Sequence, residues 1–159
     1  MSKYGTHIRY GQVKGPEVNI GGYVWAASQA VKNKGGKFVF LAAGALTLNI
    51  AGSASILGWA LERERTPTVG DKVAVNVAHD AVYRIPLATG TTFAEGMKGD
   101  TCDLAVGTSV EGDTSVQVAT PAVTTNLTLV IVDGDLVNSY WVDVMMNQNP
   151  AAAKPEADA

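Results

Sequence analysis

The sequence predicts an all-β protein whose body is an antiparallel sandwich, a jelly-roll-like fold or a small barrel. Apolar and polar residues alternate with a period of two in several short segments, as in strands that bury one face. Turn signals rich in Gly and Asp separate these segments, as in sandwiches and barrels. Only two short segments, residues 24–31 and 61–65, are compatible with helix.

The period-two pattern takes over at Phe38 and defines the strands of the body. The clearest segments are residues 45–50, 72–78, 115–119, 127–133 and 139–147. Residues 127–133 are apolar on both faces, which is typical of a central strand. Pro86 is expected at a strand end or a sheet edge, because proline cannot donate to a β-ladder.

Gly- and Asp-containing turns are predicted between the strands. They lie at residues 43–44, 51–53, 69–71, 98–100, 111–113 and 133–135. The last of these resembles part of a calcium loop, but the complete ligand pattern with its distal Glu is absent. We therefore interpret it as a tight hairpin turn whose Asp side chains cap backbone groups.

The chain of 159 residues suits one domain with extended ends. Residues 1–35 are rich in glycine and are predicted to form an extended N-terminal arm. Its only regular structure would be a short strand at residues 23–27 or a helical turn at residues 24–31. Residues 36–147 form the predicted β-body, and residues 148–159 read as a disordered tail.

Residues 38–61 carry no charged side chain and are long enough to span a bilayer. The segment nevertheless contains Gly44, Asn49 and Gly52, and its middle alternates with period two. Since a membrane helix must satisfy its backbone groups internally, we predict two or three buried strands here and no membrane partner.

Charge is distributed unevenly. Residues 1–37 contain six Lys and Arg residues against Glu17, whereas the rest of the chain has six basic and fourteen acidic residues. An acidic body opposes phosphate binding, so direct contact with nucleic acid is not expected. The single cysteine, Cys102, allows no intrachain disulfide and is expected to be buried. The N-terminus lacks the apolar core of a signal peptide, so synthesis in the cytoplasm is expected.

No motif in the sequence carries catalytic chemistry. His7 and His79 are the only histidines, and they are not part of a zinc-ligand pattern. Phosphate-binding glycine loops and the nucleophile elbow of hydrolases are also missing. We therefore expect a non-enzymatic protein that needs no cofactor and no metal, and whose function rests on protein contacts.

Tryptophan, tyrosine and arginine dominate the energetics of protein interfaces. The predicted interface residues belong to the N-terminal arm: Tyr4, Arg9, Tyr10, Lys14, Tyr23 and Trp25. The other two tryptophans, Trp59 and Trp141, are expected in the cores of their strands. Oligomerisation is expected from the long uncharged stretch and the number of aromatic anchors, with a trimer preferred over a dimer.

Residues 56–144 contain an ordered set of segments that resembles a known family. The segments are Ile56-Leu57-Gly58-Trp59-Ala60, Val69-Gly70-Asp71-Lys72-Val73, Val82-Tyr83-Arg84-Ile85-Pro86-Leu87, Lys98-Gly99-Asp100-Thr101-Cys102-Asp103-Leu104, Leu127-Thr128-Leu129-Val130-Ile131-Val132-Asp133 and the strand around Val142 and Val144. Their order, with a Y-R-x-P segment followed by G-x-T-C-D-L and a closing hairpin, is similar to the cement or decoration proteins of tailed-bacteriophage capsids.

This resemblance implies a structural role on the exterior of the phage head. Such proteins bind where major capsid subunits meet, often as trimers or dimers, and stabilise the shell against internal DNA pressure. The N-terminal arm would then extend across a neighbouring subunit, and deletion of residues 2–30 should leave a folded body that no longer binds capsids. Another virion structural module and a glycan-binding sandwich or cryptic hydrolase are the alternatives.

Overall fold

A computed structural model describes residues 8–27, 29, 36–50, 55–61, 67–121 and 128–147. Within them, strands and one 3-10 helix make up the regular structure. The strands are β1 (Gly11–Lys14), β2 (Asn19–Val24), β3 (Lys37–Ala42), β4 (Ala45–Leu48), β5 (Gly58–Ala60), β6 (Lys72–Asn76), β7 (Val82–Pro86), β8 (Thr101–Gly107), β9 (Val116–Thr120), β10 (Leu129–Gly134) and β11 (Trp141–Met146), and the 3-10 helix is Glu95–Met97.

The strands form two open antiparallel sheets that pack as a sandwich. The six-stranded sheet has the order β1-β7-β11-β10-β8-β9, and the five-stranded sheet has the order β2-β6-β5-β3-β4. The prediction of an all-β sandwich is therefore confirmed, and the closed-barrel alternative is wrong. Pro86 is the last residue of β7, as predicted for a residue that cannot extend a ladder.

An aromatic group lies at the centre of the core between the sheets. The rings of Phe38 and Trp59 meet edge to face with centroids 4.7 Å apart, and Trp59 stacks on Tyr83 at the same distance. Aliphatic side chains such as Ile85 and Ile131 complete this cluster. Because adjacent strand residues point to opposite faces, Phe38 faces the six-stranded sheet and Val39 faces away from it.

A second apolar cluster covers the other face of the five-stranded sheet. Val39, Leu46, Ala60 and Val75 belong to it, and Trp25 packs with them at 1% exposure. The backbone of Trp25 forms a parallel bridge with Leu46 of β4. The five-stranded sheet is thus apolar on both faces where its central strands lie.

Gln117 links the two sheets. Its side-chain oxygen accepts a hydrogen bond from the Phe38 N–H at 2.8 Å. The side-chain amide donates to the Phe38 carbonyl at 2.9 Å and to the Asn49 carbonyl at 3.0 Å. Gln117 lies on β9 and Phe38 on β3, so one buried side chain joins strands of different sheets.

Asn76 forms a second buried polar contact, between β6 and the N-terminal segment. Its side-chain oxygen accepts from the N–H groups of Val18 and Ala78, both at 3.0 Å. Its amide donates to the Gln12 side chain and to the Pro16 carbonyl, both at 3.2 Å. These bonds hold the connection between β1 and β2 against the body.

The N-terminal segment differs from the extended arm predicted for residues 1–35. β1 pairs with β7 in the six-stranded sheet, and β2 pairs with β6 in the five-stranded sheet. Gly15 has φ +97°, and a Cβ there would lie 2.7 Å from the Ala81 Cα. Glycine is needed at this close approach, so Gly15 permits tight docking in a segment that was predicted to be an extended arm.

The uncharged segment at residues 38–61 provides β3, β4 and β5 over its described part. No described residues form a helix with the length and apolar character that crossing a membrane requires. The predicted turn at residues 51–53 and the disordered tail at 148–159 lie outside the described residues, as do all but Leu61 of the helix predicted at 61–65. The helical turn predicted at 24–31 is replaced at its start by the end of β2 and the Trp25 bridge.

Candidate functional site

An arginine fixed between a carboxylate and an aromatic ring lies on the outer face of the six-stranded sheet. The Arg84 Nε donates to Asp143 Oδ1 at 2.8 Å, and Nη2 donates to Oδ2 at 3.0 Å. The guanidinium carbon lies 3.6 Å from the ring centroid of Trp141. Bidentate pairing and stacking together restrict the arginine far more than either contact alone. We call Arg84, Trp141 and Asp143 the arginine patch.

Strand alternation places these side chains on one surface. Arg84 lies between the buried Tyr83 and Ile85 on β7, and it pairs in register with Asp143 of β11. Trp141 is two residues before Asp143, so it projects from the same face. The Arg84 side chain retains 26% of its exposed area and that of Asp143 retains 9%. The patch is therefore partly accessible and internally held.

Charged groups continue across the outer face beside the patch. Asp133 pairs in register with Asp143, and its carboxylate lies 3.4 Å from the Lys98 ammonium, which also contacts Glu95 at 2.9 Å. The Gly134 N–H donates to Asp133, and this bond together with Lys98 lowers the pKa of Asp133. The hydrogen bond with Asp143 raises the pKa of Arg84, with Asp133 and Tyr10 adding to the effect. Both shifts favour the charged forms of Asp133 and Arg84.

Tyr10 lies next to the patch, because it precedes Gly11, which pairs in register with Arg84. The Tyr10 hydroxyl donates a hydrogen bond to Glu111 in the loop between β8 and β9. Burial raises the pKa of Tyr10, and the negative charges of Glu111, Asp113 and Asp135 raise it further. The phenol stays protonated, so it acts only as a donor toward Glu111.

The turn between β10 and β11 is held by one carboxylate. Asp135 Oδ1 accepts from the N–H groups of Val137 and Asn138 at 3.0 and 3.1 Å, and Oδ2 accepts from the Tyr140 N–H at 3.1 Å. This agrees with the predicted capping role of aspartate at the hairpin, with the turn itself at residues 136–138. Leu136 and Val137 at its tip are exposed.

The structure distributes the predicted interface residues over several places. Arg9 is exposed and Tyr10 half-buried near the arginine patch, while Lys14 is exposed at the other end of β1. Tyr23 packs against the second apolar cluster, and Trp25 is buried within it. Tyr4 lies outside the described residues. The described members therefore do not form one surface, and Trp25, at 1% exposure, presents almost no accessible area to a partner.

Trp141 and Arg84 are the site residues that sequence reasoning missed. Trp141 was expected in a strand core, yet it shares its period-two phase with Asp143 and not with Val142 and Val144. That phase was readable from the sequence and would have placed Trp141 on the solvent face. The pairing of Arg84 with Asp143, 59 residues apart, had no local signal.

Residues considered for chemistry do not gather into a site in the described part of the chain. Among those residues, no group of three or more His, Cys, Asp and Glu side chains is placed to hold a metal ion. His79 is exposed in the turn before β7. Cys102 is buried as expected, and burial together with the nearby Asp103 and Asp100 raises the pKa of its thiol to about 12.

Comparisons with protein-family models, curated proteins and solved structures give no match to this chain.

Proposed function

We propose that this chain is a structural protein of a tailed-phage virion, made in the host cytoplasm, that binds the outer surface of the head between major capsid subunits. There it stabilises the shell against internal DNA pressure. The observation that carries the proposal is the arginine patch, a partly exposed Trp and Arg pair held on the face of a sandwich. These residue types dominate protein interfaces, and a surface already ordered before binding loses less entropy when it docks.

The segments that resemble capsid cement proteins also build this surface. The Y-R-x-P segment is β7, which places Tyr83 in the aromatic core and Arg84 in the patch. The strand around Val142 and Val144 is β11, whose other face carries Trp141 and Asp143. One set of residues thus supports both the core and the outer surface, which suits a rigid binding module.

A glycan-binding sandwich fits the patch less well. Sugars bind proteins by stacking on open aromatic faces, and the Arg84 guanidinium already lies over the Trp141 ring. Self-association, as a trimer or a dimer, suits the proposed role, because several weak contacts to the shell add up when copies are linked.

The test uses heads of the phage whose genome encodes this chain, purified from a strain that lacks the gene. Labelled protein should saturate these heads at hundreds of sites in cryo-EM maps, since cement proteins follow the capsid lattice. Trp141→Ala should weaken head binding by about 2 kcal/mol or more, as expected of an interface anchor. Leu41→Ala, at a half-exposed leucine of the five-stranded sheet, is the matched control and should bind as the wild type does.

Two results would contradict the proposal. Wild-type protein that leaves purified heads bare, in binding assays and in cryo-EM, removes the capsid role. A few copies at the tail or neck, with none on the shell, would favour the alternative of another virion module.

A further inference from the structure

We propose that the β10–β11 turn enters an apolar pocket on the major capsid subunit, and that lysine or arginine side chains border this pocket. The inference rests on the proposed function and names the contact that makes the attachment. Three properties of the turn lead to it: the exposure of its tip, the order of its backbone and the charge around it.

The tip of the turn exposes two aliphatic side chains next to each other in the chain. Val137 is 88% exposed and Leu136 is 55% exposed. Single exposed aliphatic residues are common on protein surfaces and need no explanation. Polar residues are, however, usual at hairpin turns, so two neighbouring aliphatic side chains at a projecting tip point to a contact.

The backbone of this turn is held by hydrogen bonds within the turn and by contacts with the neighbouring β7–β8 loop. Besides the three N–H groups held by Asp135, the Ser139 N–H donates to the Asp135 carbonyl at 3.1 Å. The Ser139 hydroxyl accepts from the Phe93 N–H at 2.9 Å, so the turn is tied to the β7–β8 loop. Gly134 lies against the Phe93 ring, where a Cβ would come within 2.5 Å of it. A loop fixed in this way loses little entropy on docking.

The surroundings of the tip are acidic. Backbone hydrogen bonds of Leu87 with Tyr140 and Val110 bring three loops together at residues 87–100, 108–115 and 135–140. These loops contain five carboxylates and a single basic side chain, and the residues are Glu95, Asp100, Glu111, Asp113, Asp135 and Lys98. Lys98 is already paired with Glu95 and Asp133.

The negative charge around the tip indicates which kind of molecule it binds. Two copies of the same acidic end would repel each other, and a nucleic-acid backbone would be repelled as well. A second copy offers exposed Val18 and Ile20 on and beside β2, but the exposed Glu17 next to Val18 in the chain adds negative charge there. A different protein with an apolar pocket and a basic border matches the tip in both respects, and the capsid subunit is that partner under the proposed function.

The experiment measures binding of the full-length protein to purified heads that lack it. Val137→Asp should reduce the apparent affinity about 30-fold or more, the loss typical of an interface anchor. The matched control is Val69→Asp, a 63% exposed valine in the turn before β6. It should bind within about threefold of the wild type, since exposed sites outside an interface contribute little.

Salt and charge provide a second measurement. Wild-type affinity should fall as NaCl is raised from about 50 to 300 mM, because exposed charge pairs are screened over this range. Glu111→Gln with Asp113→Asn should weaken that dependence, and the glutamine retains an acceptor for the Tyr10 hydroxyl. Thermal unfolding of every variant tests whether its fold is kept. If Val137→Asp unfolds, Val137→Ala is used in its place.

The outcomes separate the inference from the proposed function. If wild-type protein and Val137→Asp bind heads equally, the inference is overturned while the capsid role stands. If Val137→Asp keeps head binding but loses self-association in sedimentation velocity, the tip belongs between copies and the inference is again overturned. If the wild type does not bind heads, the proposed function has failed first.

Discussion

Replacing Gln117 by leucine tests how the two sheets are held together. In the folded protein the Gln117 side chain makes three hydrogen bonds to the Phe38 N–H, the Phe38 carbonyl and the Asn49 carbonyl. Leucine fills a similar volume and makes none of them. The Phe38 carbonyl keeps a bond from the Asn49 N–H at 3.1 Å, whereas the Phe38 N–H loses its acceptor and the Asn49 carbonyl loses this donor.

The magnitude follows from these two buried groups. Each group left without its partner costs about 1–3 kcal/mol, and the added apolar burial of leucine offsets about 1 kcal/mol of the total. We expect Gln117→Leu to lower the free energy of unfolding by roughly 1–5 kcal/mol, a large fraction of the roughly 5–15 kcal/mol typical of a domain.

The assay is urea unfolding followed by tryptophan fluorescence, since Trp25 and Trp59 are buried in the two apolar clusters. The midpoint should fall while the slope m stays constant. Thr114→Leu, an exposed position before β9, makes the same polar-to-apolar change and should alter stability by less than about 0.5 kcal/mol. A Gln117→Leu protein as stable as the wild type would show that this contact does not hold the sheets.

Two further predictions concern Cys102 and the N-terminal segment. The Cys102 thiol should resist iodoacetamide at pH 8 in the folded protein and react in urea, because burial raises its pKa from 9.0 to about 12 and only the thiolate is nucleophilic. The contribution of Cys102 to the free energy of unfolding should be constant below pH 9.0 and should decline toward pH 12, because the thiol ionises first in the unfolded chain. Rapid labelling of the native protein would contradict the first expectation. A decline in stability at alkaline pH that is unchanged in Cys102→Ala would contradict the second. Deleting residues 2–30 should unfold or aggregate the chain, since it removes β1, β2 and Trp25. A soluble product with native circular dichroism and cooperative unfolding would instead support the separable arm that the sequence suggested.

Several elements of the fold were predictable because their signal is local. The alternation at residues 72–78 and 115–119 marks β6 and β9, and the turn signals at residues 43–44 and 69–71 mark the ends of neighbouring strands. The capping aspartate of the β10–β11 turn was predictable for the same reason. A side chain that bonds to nearby backbone needs no distant partner to set its geometry.

The candidate site was predicted less well, because exposure depends on distant contacts. Trp25 looked like an anchor of an extended arm, but it bridges to Leu46 and is buried in the second apolar cluster. Trp141 looked like a core residue, but it is only half-buried and stacks with Arg84 on the outer face of the six-stranded sheet. Tryptophan serves cores and interfaces alike, so composition cannot distinguish the two locations.

The sequence by itself determined the all-β class and the positions of β4, β6, β9, β10 and β11, because side-chain alternation is a property of the extended backbone. Only the tertiary structure decided whether the polar residues that alternate with the apolar ones in a strand lie in solvent or in the interior. Gln117 and Asn76 have the spacing of solvent-facing residues, yet each is buried with its hydrogen bonds made to segments many residues away. Whether a strand's second face meets water or another segment is set by how the sheets and the N-terminal strands pack, and no local pattern encodes that choice.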